Sequence, residues 1–189
     1  MSDKVTLVNE QDEVIGEMDK IEAHRGKAHL HRAISVYLFR KNPETEVTEL
    51  LVQQRSHKKI VGALQWANTA CGNVWPGESY EACARRRLMF ELGISVNAQE
   101  LPLHPVEKFI YQVQCNAEFS EHEMDQVFAG WYDGAVTPNP DEVAAVEWVS
   151  WEPVQDAEHR ALQQKDWAPW FKIMMLNQKI IGELRKFTR

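Results

Sequence analysis

The chain has 189 residues, of which 44% are hydrophobic and 26% charged, and a formal net charge of −7. This is an ordinary globular composition, long enough for one domain, with or without a helical extension, and a sizeable core. The acidic balance leaves no broad basic footprint, which excludes a nucleic-acid partner. What positive charge there is gathers in two tight clusters, Arg55, Lys58 and Lys59, and then Arg85, Arg86 and Arg87.

VTLVNEQDEVIGEMDK reads as a short hairpin, about 5–18, around a polar turn. A histidine-bearing connection leads to RAISVYLFR, a strand with Ile34, Val36 and Leu38 on one face and Ser35, Tyr37 and Phe39 on the other. A second strand, LLVQQR, follows the turn NPETEVTE, and LQWANTACG reads as one further short strand ending at Gly72. From Ser79 to Leu92 the pattern is helical. Ser79 suits the N-cap, Glu81 the first turn, Ala84, Leu88 and Leu92 recur at helical spacing, and Gly93 ends it. VEKFIYQVQC, EMDQVFAGWY and AAVEWVSW are three more strands, and the segment from about 165 to 187 reads as one long amphipathic helix. The sum is a single α+β unit over 1–189, with a mixed sheet sandwiched between helices. Three cysteines (Cys71, Cys83, Cys115) without a CxxC pair suit a reducing compartment. No leader-like N-terminus and no apolar run of ~18 residues is present, so a cytoplasmic protein with no membrane partner is expected.

Gly72, Glu78, Arg86, Leu88, Glu91, Gly93 and Ile94 fall at spacings that resemble the Nudix box, a loop and helix that handle diphosphates. Two positions depart from it: Arg87 and Phe90 stand where the box has glutamates that gather Mg²⁺ for hydrolysis. TACG ahead of the box, GES inside it, HRAISVYLFR with LLVQQRSHKK, and SEHEMDQVFAG extend the resemblance to type I isopentenyl diphosphate isomerases, which are built on the Nudix fold. It runs from about Val5 to the C-terminal helix. Such enzymes put a proton on C4 and take another from C2, through a tertiary carbocation.

The resemblance implies Cys71 and Glu123 on opposite sides of the substrate, Tyr111 beside Glu123, and Trp170 as the π face over the hydrocarbon. It implies a cationic clamp on the diphosphate from Lys20, Arg55, Lys59 and Arg87. It also implies Mg²⁺ at Glu91 and the Cys71 carbonyl. A second divalent metal, Mn²⁺ or Zn²⁺, would be held by His24, His31, Glu121 and Glu123. On a strand Glu121 and Glu123 share a face with His122 opposite, and two adjacent carboxylates call for a cation or a shared proton. Asn73 occupies the family's third histidine position, and a neutral amide oxygen is the weaker ligand for a transition metal. Either Asn73 with water or His29, expected on the same strand face as His31, completes the set. A Nudix-type diphosphohydrolase and a non-catalytic diphosphate binder are the competing readings, with Arg87 and Phe90 opposing the first.

Overall fold

The computed structural model describes residues 4–95, 97, 99–155 and 165–189. The N-terminal hairpin forms from β1 (Lys4–Val8) and β2 (Val14–Asp19), and Asn9 Oδ1 turns the chain by accepting the Gln11 and Glu13 N–H groups at 3.0 Å each. Asp19 then caps α1 (Lys20–His24), a short helix that the histidine-bearing connection did not announce. After it come β3 (His31–Lys41), β4 (Thr48–Arg55), β5 (Trp66–Ala67) and β6 (Ala70–Asn73). The predicted strand LQWANTACG is thus two. The break falls at Asn68 and Thr69, whose buried side chains hydrogen-bond into the backbone of neighbouring strands.

α2 (Tyr80–Leu92) has the predicted ends: Ser79 Oγ accepts from Ala82 N at 3.1 Å, and Gly93 closes it at φ 68°, a left-handed conformation that glycine adopts without a Cβ penalty. β7 (His104–Gln114), β8 (Ser120–Trp131) and β9 (Val143–Ser150) complete the sheet, and α3 (Trp151–Gln155) follows. The predicted single C-terminal helix is two, α4 (Pro169–Leu176) and α5 (Gln178–Phe187). Asn177 divides them. Its Oδ1 accepts from Lys179 N and Ile180 N, so a side chain competing for backbone donors starts a new helix where the apolar period alone would continue the old one. No described helix is long and apolar enough to cross a membrane.

Among the described residues nine strands join one mixed sheet, in which β3 is the hub. It runs parallel to β8 and pairs antiparallel with β1, β4 and β6. Its two faces are both buried, against different layers. Ile34, Val36 and Leu38 pack with Cys83, Ala84, Leu88 and Leu92 of α2. Tyr37 and Phe39 pack with Trp170, Phe171 and Met174 of α4 and Ile180, Ile181 and Leu184 of α5. Each such large side chain contributes about 1.5–3 kcal/mol by leaving water. The helices of the second layer cover only the far half of that face, and the near half stays open as a cavity.

Candidate active site

Register decides what lines the cavity. Residues opposite one another across a sheet point to the same face, so pairings made at β3 carry its odd-numbered face outward onto its neighbours. On the β6 side Cys71 lies opposite Ser35 and Asn73 opposite Ala33. On the β8 side Glu123 lies opposite His31 and Asp125 opposite Ala33, and Tyr111 of β7 faces Glu123 in turn. Cys71 and Glu123 therefore stand on opposite flanks of one strand, above the same cavity of about 420 Å³. Lys20, Arg55, Lys59, Arg87, Trp170, His24, Glu121, Asn73 and Tyr111 also line it, while His31 and Glu91 are fully buried just behind its wall.

One end gathers His24, His31, Glu121 and Glu123, whose ligand atoms lie within 4.8 Å of one another. His24 Nδ1 is 2.6 Å from the Lys20 carbonyl and His31 Nδ1 is 2.7 Å from the His29 carbonyl, so each ring donates outward and aims its Nε2 lone pair inward. The His24 lone pair meets an oxygen, Glu121 Oε2 at 3.0 Å, whereas that of His31 has the Asn73 amide nearer to it than Glu123 Oε1, which lies 3.7 Å away. With the His24 ring neutral, Glu121 Oε2 is buried without a hydrogen-bond donor. Lone pair against carboxylate is relieved by an added proton or a cation, and four converging buried donors fit a metal ion. A protonated His24 relieves the same clash: burial opposes ionisation of Glu121, but the Nε2–H hydrogen bond and charge of His24 outweigh it, holding the carboxyl at about 2. Burial and the Glu121 charge push Glu123 the other way, upward. His24 itself is raised, because its hydrogen bond and charge interaction with Glu121 exceed the opposing effect of burial. Asn73 Nδ2 stands 2.9 Å from His31 Nε2, beside the cluster. His29 is not part of it. β3 begins only at His31, which leaves His29 exposed in the preceding loop and contributing a carbonyl instead of a ring.

The other end is cationic. Arg87 Nε donates to the Cys71 carbonyl at 3.1 Å, and its Nη2 reaches Glu91 Oε1 and, at 2.7 Å, Glu142 Oε2. Glu91 Oε2 accepts from Gln53 at 2.7 Å, so both Glu91 oxygens are taken. Gly72 permits this arrangement, since a Cβ there would fall 2.6 Å from Arg87 Cγ. Lys59 pairs with Glu142, and burial lowers its ammonium to about 8. Lys20 is exposed at the mouth. Arg55 lies over Trp170, its Cζ 4.9 Å from the ring centroid, which joins the cationic end to the apolar wall of Ile21, Ile60, Val61 and Phe119.

Between the ends, Cys71 Sγ donates to Asn68 Oδ1 at 3.1 Å, and burial, reinforced by the Glu91 charge, pushes the thiol up to about 12. Tyr111 donates its hydroxyl to Glu123 Oε2 at 2.5 Å. Sequence reasoning left out Asn68, Gln53, Asp125 and Glu142. Asp125 was within reach, since alternation along EHEMD puts it on the face of Glu121 and Glu123. Burial and the Glu123 charge push its carboxyl well up, and Ser35 donates to it at 2.8 Å.

The sheet, the glycine-led loop into α2 and the diphosphate-handling spacing together define a protein of Nudix fold. A model of the NUDIX domain matches residues 29–171. An isopentenyl-diphosphate Delta-isomerase of Nocardia farcinica is 38% identical over 167 residues, covering 88% of this chain and 89% of its own. The chloroplastic isopentenyl-diphosphate Delta-isomerase II of Arabidopsis thaliana is 33% identical, covering 93% of this chain. The present chain spans 66% of that relative's length. A crystal structure of DR0079 from Deinococcus radiodurans superposes with a TM-score of 0.70 at 21% identity, covering 91% of this chain and 96% of that one, and supports the fold alone. The chain belongs to the NUDIX family and, within it, to the isopentenyl-diphosphate Delta-isomerases.

Proposed function

We propose that the cavity binds isopentenyl diphosphate and interconverts it with dimethylallyl diphosphate, the chain working as one Nudix-type unit over 1–189 in isoprenoid biosynthesis. The observation that carries this reading is the pair Cys71 and Glu123, set on opposite flanks of β3 over one cavity with a cationic cluster at its end. One of the two gives a proton to C4 and the other takes one from C2, so that proton gain and loss occur on different faces of the hydrocarbon and no net proton is consumed. Tyr111 steadies Glu123 by its hydrogen bond, and Asn68 fixes the direction of the Cys71 thiol. Trp170 and the apolar wall exclude water, which would quench a cation at C3, and the indole offers that cation an electron-rich face.

Lys20, Arg55, Lys59 and Arg87 hold the diphosphate at the other end. His24, His31, Glu121 and Glu123 would hold a divalent cation, which would supply the positive charge that lets two carboxylates lie side by side. Mn²⁺ or Mg²⁺ suits this set better than Zn²⁺, because Asn73 completes it with an amide oxygen after a half turn of its side chain. Mg²⁺ would accompany the diphosphate; Glu91 and the Cys71 carbonyl, the oxygens expected to serve it, are both engaged by Arg87 here and would become available only as Arg87 turns to the ligand. Arg87 opposes the hydrolytic reading, since a guanidinium fills the space where a hydrolase would gather acidic ligands.

The test is incubation with isopentenyl diphosphate, Mg²⁺ and Mn²⁺, following the dimethylallyl isomer by NMR and released phosphate by colorimetry. Isomer without phosphate is expected. Phosphate released with no isomer would make the protein a hydrolase.

A further inference from the structure

Glu142 is the feature of the cationic end that neither the fold nor the proposed reaction requires. Its Oε2 accepts from both Lys59 and Arg87, which come from segments 83 and 55 residues away. All three side chains are largely withdrawn from water, with 19%, 14% and 13% of Glu142, Lys59 and Arg87 exposed. The loop that carries Glu142 is fixed in place: its carbonyl accepts from Ser56 N at 3.0 Å, and Asn139 N donates to the Glu91 carbonyl at 2.8 Å. With Glu91, Glu142 brings the charge of this corner to zero before any ligand arrives. A diphosphate entering beside an unchanged Glu142 would be a third anion on the same two cations, an arrangement that like-charge repulsion opposes.

We propose that Glu142 is an internal competitor for the diphosphate seat: its carboxylate holds Lys59 and Arg87 in the empty pocket, and the ligand takes both cations from it. This rests on the diphosphate reading of the cavity and adds a selection rule to it. A ligand must offer more charge and more oxygens than one carboxylate, so a diphosphate displaces Glu142 and a monophosphate does so poorly. Product release gains correspondingly, because Glu142 stands ready to reclaim the two cations.

Calorimetric titration of inorganic pyrophosphate and of inorganic phosphate into metal-free protein tests this, with Glu142→Gln as the principal variant. Glutamine keeps the shape and an acceptor oxygen while removing the charge. Pyrophosphate is expected to bind Glu142→Gln roughly tenfold more tightly than wild type, with a larger proportional gain for phosphate, so the preference between the two narrows. Asp141→Asn is the control. Asp141 borders the same cavity but pairs with the exposed Lys58 at 2.5 Å and with neither Lys59 nor Arg87, so its loss of charge should change neither affinity more than about twofold. Unchanged or weaker binding by Glu142→Gln overturns the proposal, as does equal tightening in Asp141→Asn, which would reduce the effect to general charge. Weakening confined to Mg²⁺-containing buffer overturns it too, and would make Glu142 a cation ligand. If neither wild type nor Glu142→Gln takes up pyrophosphate, the diphosphate reading itself fails and this proposal with it.

Discussion

The two ends of the cavity treat buried charge in opposite ways. At the His24–Glu121 end, the lone pair of a neutral His24 faces Glu121 Oε2, which then lacks a donor, so the arrangement is short of positive charge. At the Lys59–Arg87 end every carboxylate oxygen that faces inward already meets a cation or an amide. On the function proposed above, the first end would hold a resident ion, and the second would be opened by a ligand that displaces its own carboxylate. His31, Glu121, Glu123 and Cys71 lie on β3 or strands paired with it, while His24 comes from α1 and Arg87 and Glu91 from α2, so sheet register and helix packing together set the space between the ends. Cys71 lies in that space, and Glu123, on the border of the first end, faces it from the opposite flank of β3.

The largest expected effect comes from removing what lies between the ends. Cys71→Ala should lower the rate of isomer formation by roughly 10²–10⁴, the usual contribution of a positioned proton-transfer group. Pyrophosphate affinity and metal content should hold, because alanine touches neither end. Rate measurements under saturating substrate, together with calorimetry, separate the two. A variant that keeps more than a tenth of the wild-type rate would remove Cys71 from the reaction.

Sharpening the first end means restoring a ligand. Asn73→His places an imidazole beside His31 in the cluster, and should raise retention of Zn²⁺ or Mn²⁺ about 10–100-fold against a competing chelator. Elemental analysis after gel filtration reads this directly, with Glu121→Gln as the variant that should lose metal. Equal metal content in wild type and Asn73→His would mean that position 73 does not face the ion.

Much of this layout was legible in the sequence, and for identifiable reasons. Helix ends are written locally, and Ser79 and Gly93 cap α2 where their chemistry says they should. Alternation along EHE carried Glu121 and Glu123 to one face, and the same period would have delivered Asp125. What escaped were features set by competition or by distance along the chain. Asn177 splits an apolar helical period because its side chain outcompetes continued helix for two backbone donors. His29 lost its expected face because β3 starts two residues later, at His31. Glu142 sits in the loop PNPDEV, and no periodicity tells which cations a loop residue will meet 55 or 83 residues away. Arg87 and Glu91 were expected at the diphosphate and at Mg²⁺ separately, and their pairing across one helical turn was not foreseen.

The second end should respond to pH in a definite direction. Lys59 has its ammonium lowered to about 8 by burial, so it is cationic below that pH and neutral above it. Anion affinity should therefore fall as pH rises from 7 to 9, by about tenfold if the bound anion restores the charge. Lys59→Arg keeps its charge throughout and should flatten the profile. The His24–Glu121 end follows the opposite logic in metal-free protein. Raised His24 adds stability below the ordinary histidine range that is lost on raising pH through its folded value, and lowered Glu121 adds stability above about 4.5 that is lost as pH falls toward 2. A pyrophosphate profile that stays steep in Lys59→Arg would assign the titration to another group.

The smallest effect asks how closely Arg87 must lie against β6. Gly72 has an extended backbone, so alanine brings no conformational strain there. Its Cβ would nevertheless fall 2.6 Å from Arg87 Cγ and 2.7 Å from Cδ. Those are atoms of a long, flexible side chain, which yields before the sheet does. Arg87 should pivot away from the Cys71 carbonyl while keeping Glu91 and Glu142, so Gly72→Ala should cost less than about 1 kcal/mol of stability. Pyrophosphate affinity should drop about two- to threefold, because one anchoring hydrogen bond of the guanidinium is lost. The freed carbonyl also tests the contrast between the ends, since it adds an oxygen ligand where the folded chain had none to spare. Mg²⁺ should then recover part of the lost affinity in Gly72→Ala and do less for wild type. Equal Mg²⁺ dependence in the two proteins would show that Arg87 does not shield that oxygen from a cation.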